Sequence, residues 1–207
     1  MISYIIVAII AYCIGSISFS IIFSKKFAGF DVREKGSGNA GTTNVLRTVG
    51  KGAAALTLIC DIAKGIVAIL IAVLIGTITK SQNTALLVQI AGIFVILGHT
   101  FPIFFKFKGG KGIATSLGIL LIVNWQIGLI CLVFALVLMA LTRMVSVGSL
   151  AAAVLYPVLT LFIPTHYLVP GNYLVFSILV ACLVIFNHRA NLKRIFNGTE
   201  NRLSFKK

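Results

Sequence analysis

The stretch "AAALTLICDIAKGIVAILIAVLIG", residues 53–76, decides the fold class of this chain. Only two of its residues, Asp61 and Lys64, carry a charge. A helix of about 20 apolar residues crosses the hydrocarbon core of a bilayer, which is roughly 30 Å thick. The two charges are three positions apart and share a helix face, and charges inside a membrane are usually paired or functional. The stretch therefore predicts a transmembrane helix with an internal ion pair.

The whole chain repeats this apolar character. Its 207 residues are 59% hydrophobic and 11% charged, whereas a soluble domain carries about 25% charged residues. Apolar runs lie near residues 2–23, 53–76, 84–99, 113–124, 126–141, 147–163 and 172–187. The run at 113–124 is either a short helix that breaks at Asn124 or one half of a bent segment. We predict an all-α integral membrane protein with seven transmembrane helices and a single domain over residues 1–207.

The distribution of positive charge predicts the orientation. The net charge is +14, from 18 Lys and Arg against 4 Asp and Glu. Loops 24–52, 99–112 and 142–146 hold 6, 3 and 1 basic residues, and the tail 188–207 holds 6. Seven crossings place these connections on one face, and with Lys64, a few turns inside the same end of its helix, that face carries 17 of the 18 basic residues. Because positive loops mark the cytoplasmic side, we expect the N-terminus outside and the C-terminus in the cytoplasm. This charge suits anionic lipid or an anionic substrate, and its position between apolar runs argues against nucleic acid.

Two of the cytoplasmic stretches combine glycines with basic residues. In "GSGNAGTTNVLR", residues 36–47, a flexible backbone can aim several N–H groups at one anion, and Arg47 adds a bidentate fork for phosphate. In "KGGKG", residues 108–112, lysines flank a glycine pair just before an apolar run, where a helix N-terminus favours anions. Composition alone leaves two alternatives open: an ordinary flexible loop for the first stretch, and a lipid-anchoring basic loop for the second.

The third stretch is "HRANLKRIFNGTE", residues 188–200, directly after the last apolar run. His188, Asn191 and Arg194 are three residues apart, so on a short helix they share one face. A basic tail with snorkelling side chains is the alternative interpretation. Ser146 lies in the short connection that the topology places on the same cytoplasmic side.

Several enzyme classes are excluded by what the sequence lacks. With 4 carboxylates in the whole chain, no acidic cluster is available for Mg²⁺, which excludes an alcohol phosphatidyltransferase. The 3 histidines form no HExxH motif, so we expect no metal and no cofactor. His99 is not followed by the Asp of the His-x4-Asp pair of CoA-dependent acyltransferases. Ser37 has no GxSxG context.

Together, "GSGNAGTTNVLR", "GHTFPIFFKFKGGKGIATSLG" and "HRANLKRIFNGTENRL" resemble, in order and spacing, the three motifs of the bacterial integral-membrane acyl-phosphate:glycerol-3-phosphate acyltransferases, the PlsY family. The resemblance implies seven helices in the bacterial inner membrane with the active site facing the cytoplasm. It also implies acyl transfer from acyl phosphate to the 1-hydroxyl of glycerol 3-phosphate, giving lysophosphatidic acid and phosphate in the first step of phospholipid synthesis. An enzyme that produces acyl phosphate is the protein partner it suggests, beside the lipid bilayer.

The resemblance also implies roles for individual residues. The catalytic set would be Ser37, Arg47, Lys111, Ser146 and Asn191. The substrate-binding set would be Gly38, Asn39, Thr43, Asn44, Lys108, Gly109, Gly110, Gly112 and His188. The supporting set would be Asp61, Lys64, His99, Arg194 and Glu200, with Glu200 ordering the tail by pairing with a nearby base.

The rival function is a transporter or channel for a small phosphorylated anion. Such a protein would place polar or discontinuous helices near the bilayer midplane. Here the polar groups gather at one predicted face, which favours an enzyme. A scaffold protein would leave the three polar motifs unexplained.

Overall fold

The computed structural model describes residues 1–203, which form ten α-helices. Lys206 and Lys207, part of the predicted basic tail, lie outside the described residues. Residues 1–122 and the residues from 123 onward form two compact units. The single-domain assignment stays a prediction.

The first unit contains the helices that carry the two glycine-rich stretches. They are α1 (Ile2–Gly15), α2 (Phe19–Ala28), α3 (Thr42–Thr48), α4 (Lys51–Ile78), α5 (Thr84–Thr100) and the start of α6 (Ile113–Val123). Short 3₁₀ helices span Val32–Glu34 and Ile103–Phe105.

The first apolar run, predicted as one helix over 2–23, is interrupted. α1 ends at Gly15 and α2 begins at Phe19. Lys64 of α4 reaches this break, where its Nζ donates to the carbonyl oxygens of Gly15 at 3.1 Å and Ile17 at 2.9 Å. The contact has a physical reason, because an unpaired backbone carbonyl in apolar surroundings costs several kcal/mol.

Close helix packing in this unit depends on glycines. A Cβ at Gly98 would overlap the carbonyl oxygen of Tyr12, and one at Gly65 would lie against the backbone of Thr115. Small residues let helix backbones approach closely inside a membrane. α5 is thereby held against α1, and α6 against α4. These contacts fix both helices that flank the loop between α5 and α6.

The second unit contains α7 (Trp125–Thr142), α8 (Val145–Phe162), α9 (Leu174–Asn187) and α10 (Arg189–Phe196). The side chain of Asn124 caps α7 by accepting from the N–H of Ile127 at 3.2 Å. The apolar stretch 113–141 is therefore interrupted at Asn124. α10 is bent by 61° relative to α9, and it provides the short helix expected after residue 188.

These helices indicate an integral membrane protein. Five segments are long and apolar enough to cross a bilayer, and the bent pair α9 and α10 makes six. α6 has 11 residues, and at about 1.5 Å per residue it rises only about 17 Å. The count of seven crossings and the orientation of the termini stay predictions.

Candidate active site

Asn44 organises the first glycine-rich stretch, residues 36–47. Its Oδ1 accepts from the N–H of Ser37 at 2.9 Å. Its Nδ2 donates to the carbonyl oxygens of Val32 at 2.8 Å, Lys35 at 3.0 Å and Asn39 at 3.1 Å. Asn44 is 2% exposed, so this network is shielded from water. The loop is thus a fixed structure that leaves the side chains of Ser37 and Arg47 exposed.

The residues Lys108–Gly112, called the glycine loop below, dock onto the end of α5. Gly109 N–H donates to the carbonyl oxygen of Thr100 and Gly110 N–H to that of His99, each at 3.0 Å. A side chain at Gly109 would overlap the His99 carbonyl, and one at Gly110 would overlap the His99 ring. Gly112 has a φ of +86°, a backbone conformation that favours glycine. These glycines are required for the path of the loop.

The first stretch and the glycine loop touch each other. Asn39 Nδ2 donates to the carbonyl oxygen of Gly109 at 3.5 Å. A Cβ on Gly110 would lie 2.8 Å from the carbonyl oxygen of Ala40. Two of the three predicted motifs are therefore in contact, and both present cationic side chains.

A buried charged cluster lies beneath the glycine loop. Lys64 Nζ is 2.8 Å from Asp61 Oδ1, which confirms the predicted ion pair. His99 Nδ1 lies 3.6 Å from the same oxygen. All three side chains are at most 7% exposed. The His99 carbonyl accepts from the Gly110 N–H, and the His99 ring packs against Gly110. This cluster therefore links α4 to the glycine loop.

Asp31 and Arg33 were missed by sequence reasoning. The Arg33 guanidinium pairs with Asp31, with Nη2 2.8 Å from Oδ2, and also reaches the segment before the glycine loop. Hydrogen bonds from Arg33 hold the pKa of Asp31 below its usual value, although burial opposes the shift. The sequence offered one signal for this pair, an Asp-x-Arg pattern just before a glycine-rich stretch. The pattern did not reveal that Arg33 also binds a carbonyl group 72 residues later.

Buried hydroxyl groups occur near the starts of α3 and α6. Within residues 1–203, the Oγ atoms of Thr42, Thr115 and Ser116 are buried and have no hydrogen-bond partner. Thr43, a predicted binding residue, is half-buried in the first turn of α3. Helix N-termini offer N–H groups and a positive dipole end to anions, so these hydroxyls add polar groups at the same helix ends.

Glu200 is the centre of the polar cluster in the second unit. Its Oε1 accepts from Ser146 Oγ at 2.8 Å and from Asn191 Nδ2 at 2.6 Å. Its Oε2 accepts from Arg194 Nε at 2.8 Å. Burial alone would raise the pKa of Glu200, but the hydrogen bonds from Asn191, Ser146 and Arg194 outweigh it and lower the pKa below its usual value. Arg194 is the base with which Glu200 was expected to pair.

His188 stands at the junction between α9 and α10. It is 3% exposed, and its Nδ1 lies 2.8 Å from the carbonyl oxygen of Val184. If Nδ1 donates there, Nε2 is left as an acceptor.

The site residues predicted from the sequence are thus divided between the two units. The group of the first unit contains Ser37, Gly38, Asn39, Thr43, Asn44, Arg47, Asp61, Lys64, His99, Lys108, Gly109, Gly110, Lys111 and Gly112. The group of the second unit contains Ser146, His188, Asn191, Arg194 and Glu200. Their roles in substrate binding and catalysis stay predictions.

Comparison with known proteins gives one consistent result. The sequence model of a family described as "Glycerol-3-phosphate acyltransferase" matches residues 5–198. A glycerol-3-phosphate acyltransferase of Clostridioides difficile (strain 630) is 43% identical over 205 residues, which are 99% of this chain and 98% of the relative. One from Thermoanaerobacter sp. (strain X514) is 43% identical over 202 residues, which are 98% of this chain and 96% of the relative.

The fold is similar to a solved membrane enzyme. The crystal structure of PlsY (YgiH), an integral membrane glycerol 3-phosphate acyltransferase, in its glycerol 3-phosphate form matches with a TM-score of 0.86 and 35% identity. The match covers 98% of this chain and 96% of that chain. The lysophosphatidic acid form of PlsY matches with a TM-score of 0.84 and 33% identity, with the same coverage.

Proposed function

The chain belongs to the glycerol-3-phosphate acyltransferase family, and on that premise we propose that its acyl donor is an acyl phosphate and its product lysophosphatidic acid. Membership of this family favours an enzyme over a transporter or channel. The observation that carries the proposal is the contact between the two polar loops of the first unit, through Asn39 and the carbonyl of Gly109. A phosphate site assembled from two loops suits a reaction in which both substrates are phosphorylated.

The phosphate-binding role is assigned to the residues around this contact. Arg47, Lys108 and Lys111 supply positive charge. Gly109 and Gly110 shape the loop that presents these charges, because a Cβ at either position would overlap His99. Ser37 adds a hydroxyl donor. At the edge of the bilayer these charges act in a medium of low dielectric, where they stabilise an anion more strongly than in bulk water.

Acyl phosphate is a mixed anhydride, so its carbonyl carbon is already activated. The 1-hydroxyl oxygen of glycerol 3-phosphate attacks that carbon, the bond from the carbon to the phosphate oxygen breaks, and phosphate leaves. The hydroxyl proton passes to a phosphate oxygen of a substrate, so the step balances without a serine nucleophile or a protein base. The enzyme contributes orientation and neutralisation of charge.

The cluster around Glu200 is assigned a part in the same reaction. Glu200 fixes Ser146 and Asn191, and these side chains, with His188, are assigned to contact the substrate. Glu200 itself is an ordering residue, because its two carboxylate oxygens already accept from three protein side chains.

The donor assignment is tested with purified protein, glycerol 3-phosphate and two donors of the same chain length. A site that recognises a polar group rejects analogues without it by about 10⁴-fold, and acyl-CoA has no phosphate on the acyl carbon. We expect phosphate release and lysophosphatidic acid from acyl phosphate, and about 10⁴-fold less product from acyl-CoA. Comparable rates with acyl-CoA, free of any source of acyl phosphate, would show that the donor is misassigned.

We also propose that all seven apolar runs cross the bacterial inner membrane, with the N-terminus outside and both polar loops in the cytoplasm. The partition of basic residues supports this orientation. The remaining partner in this proposal is an enzyme that supplies acyl phosphate at the same membrane face.

The orientation is tested by labelling single cysteines with an impermeant thiol reagent. Lys51 and Lys80 lie at or just beyond the two ends of α4, and both are exposed. Lys51→Cys should react only in inverted vesicles and Lys80→Cys only in intact cells. The four native cysteines, Cys13, Cys60, Cys131 and Cys182, are replaced beforehand. Reaction of both variants from the same side would overturn the proposed topology.

A further inference from the structure

Asp31 and Arg33 belong to the segment that links α2 to the first glycine-rich stretch. Asp31 caps the 3₁₀ helix Val32–Glu34 by accepting from the N–H of Arg33 at 3.1 Å. Between them, Val32 is fully buried, and its N–H donates to Ser24 Oγ at 3.1 Å. The backbone that carries both charged side chains is therefore anchored in the core of the first unit.

Asp31 fixes the plane of the Arg33 guanidinium. Arg33 Nε donates to Asp31 Oδ1 at 2.9 Å and Nη2 to Oδ2 at 2.8 Å. This bidentate pairing sets orientation as well as strength. The Asp31 side chain is 10% exposed and that of Arg33 is 22% exposed, so the pair is largely shielded from water.

The third nitrogen of the guanidinium reaches the segment that leads into the glycine loop. Arg33 Nη1 donates to the carbonyl oxygens of Phe105 at 2.7 Å and Lys108 at 3.1 Å. Between these two carbonyls, Lys106 and Phe107 have φ values of +59° and +57°. Non-glycine residues seldom adopt this left-handed conformation without support from their surroundings. Arg33 provides that support because it donates hydrogen bonds to both ends of the turn.

We propose that Asp31 and Arg33 are positioning residues for glycerol 3-phosphate, which hold the turn 105–108 so that the glycine loop keeps its phosphate-binding conformation. This inference rests on the proposed function. Arg33 acts through the loop rather than on the substrate, because Asp31 neutralises its charge and Nη1 is engaged by two carbonyl oxygens. Asp31 in turn acts through Arg33.

The test measures glycerol 3-phosphate binding in two ways. KM and kcat are determined for both substrates, and the Kd for glycerol 3-phosphate is measured by calorimetry without any acyl donor. Losing charge-assisted hydrogen bonds that position a binding loop should raise KM and Kd for glycerol 3-phosphate about tenfold or more in Arg33→Ala.

Conservative variants separate positioning from a direct charge effect. Arg33→Lys should not restore binding, because one ammonium group cannot replace a planar fork that holds a carboxylate and two carbonyls. Asp31→Asn, which changes little in shape, should weaken binding in the same direction. The double variant Asp31→Asn with Arg33→Ala should bind no worse than Arg33→Ala alone, because residues in one network are not additive. Lys26→Ala removes an exposed positive charge nearby and should leave Kd unchanged.

Two results would overturn the positioning role: wild-type affinity in Arg33→Lys, or tighter binding in Asp31→Asn, as expected if Asp31 merely neutralised a phosphate ligand. Asp31→Asn decides the question if Arg33→Ala fails to fold. A wild-type protein that binds glycerol 3-phosphate but transfers no acyl group from acyl phosphate would contradict the donor assignment and leave the binding test intact.

Discussion

Replacing Gly109 with alanine is expected to lower kcat/KM by about 10- to 100-fold. The new Cβ would overlap the carbonyl oxygen of His99 and lie 2.8 Å from that of Thr100. Both are backbone atoms that cannot rotate away, and Thr100 is the acceptor of the Gly109 N–H. Overpacking typically costs about 1–3 kcal/mol and occasionally more, and each 1.4 kcal/mol is about tenfold. The loop must move, and its phosphate-binding groups move with it.

The matched control for this prediction is Gly52→Ala. Gly52 lies in the first turn of α4, and a Cβ there would meet no atom within 4 Å. This variant should keep wild-type activity, since alanine is favoured over glycine in a helix. Kinetics of both variants at equal protein amounts, with melting temperatures measured in detergent, give the comparison. If Gly109→Ala is as active as Gly52→Ala, the docking of the glycine loop is not needed for catalysis.

Replacing Glu200 with alanine should cost more than about 100-fold in activity and lower the melting temperature. The carboxylate accepts from Ser146, Asn191 and Arg194, and a hydrogen bond to a charged group contributes about 1.5–3 kcal/mol. Ser146 and Asn191 are 4% and 6% exposed, so each would lose this acceptor inside the protein. Glu200→Gln should be intermediate, because one amide oxygen replaces two carboxylate oxygens. Glu34→Ala makes the same change in charge at an exposed site, and it should leave the activity and the melting temperature unchanged.

The same carboxylate predicts a pH dependence of stability. Its folded pKa is lowered, so its contribution is complete above the unfolded value, about 4.3, and is lost as the pH falls through the folded pKa. As the pH is lowered past about 4.3, the melting temperature of the wild-type protein should decrease. The part of this decrease that comes from Glu200 should be missing in Glu200→Gln. An identical pH profile for the two proteins would mean that the Glu200 network does not stabilise the fold.

Local patterns in the sequence predicted much of the architecture. Long apolar runs identified the candidate spans, and the spacing of Asp61 and Lys64 identified their ion pair. Helical periodicity after residue 188 identified α10, on which Asn191 and Arg194 both reach Glu200. Each of these features depends on neighbours within about two helical turns, which is the range that periodicity reports.

Features that depend on distant partners were not predictable. The break between α1 and α2 lies between Gly15 and Ser18, and such small residues also occur inside continuous membrane helices. The Lys64 ammonium that binds its carbonyls is 47 and 49 residues away. Arg33 meets its carbonyl acceptors 72 and 75 residues later. Backbone acceptors carry no sequence signature, because every residue has a carbonyl group. The chemistry of Arg33 was therefore invisible until the fold brought the turn 105–108 to it.

The bond from Lys64 to the break in the first apolar run has a consequence for how the protein enters its membrane. Residues 1–28 leave the ribosome well before Lys64 does, so the nascent segment has no ammonium group to offer the carbonyls of Gly15 and Ile17. In lipid those carbonyls require a partner, and a continuous helix would supply one. The interrupted form therefore requires α4 beside it, because the lysine of that helix replaces the helical hydrogen bonds at the break. The final shape of the first span depends on a helix that the ribosome makes later.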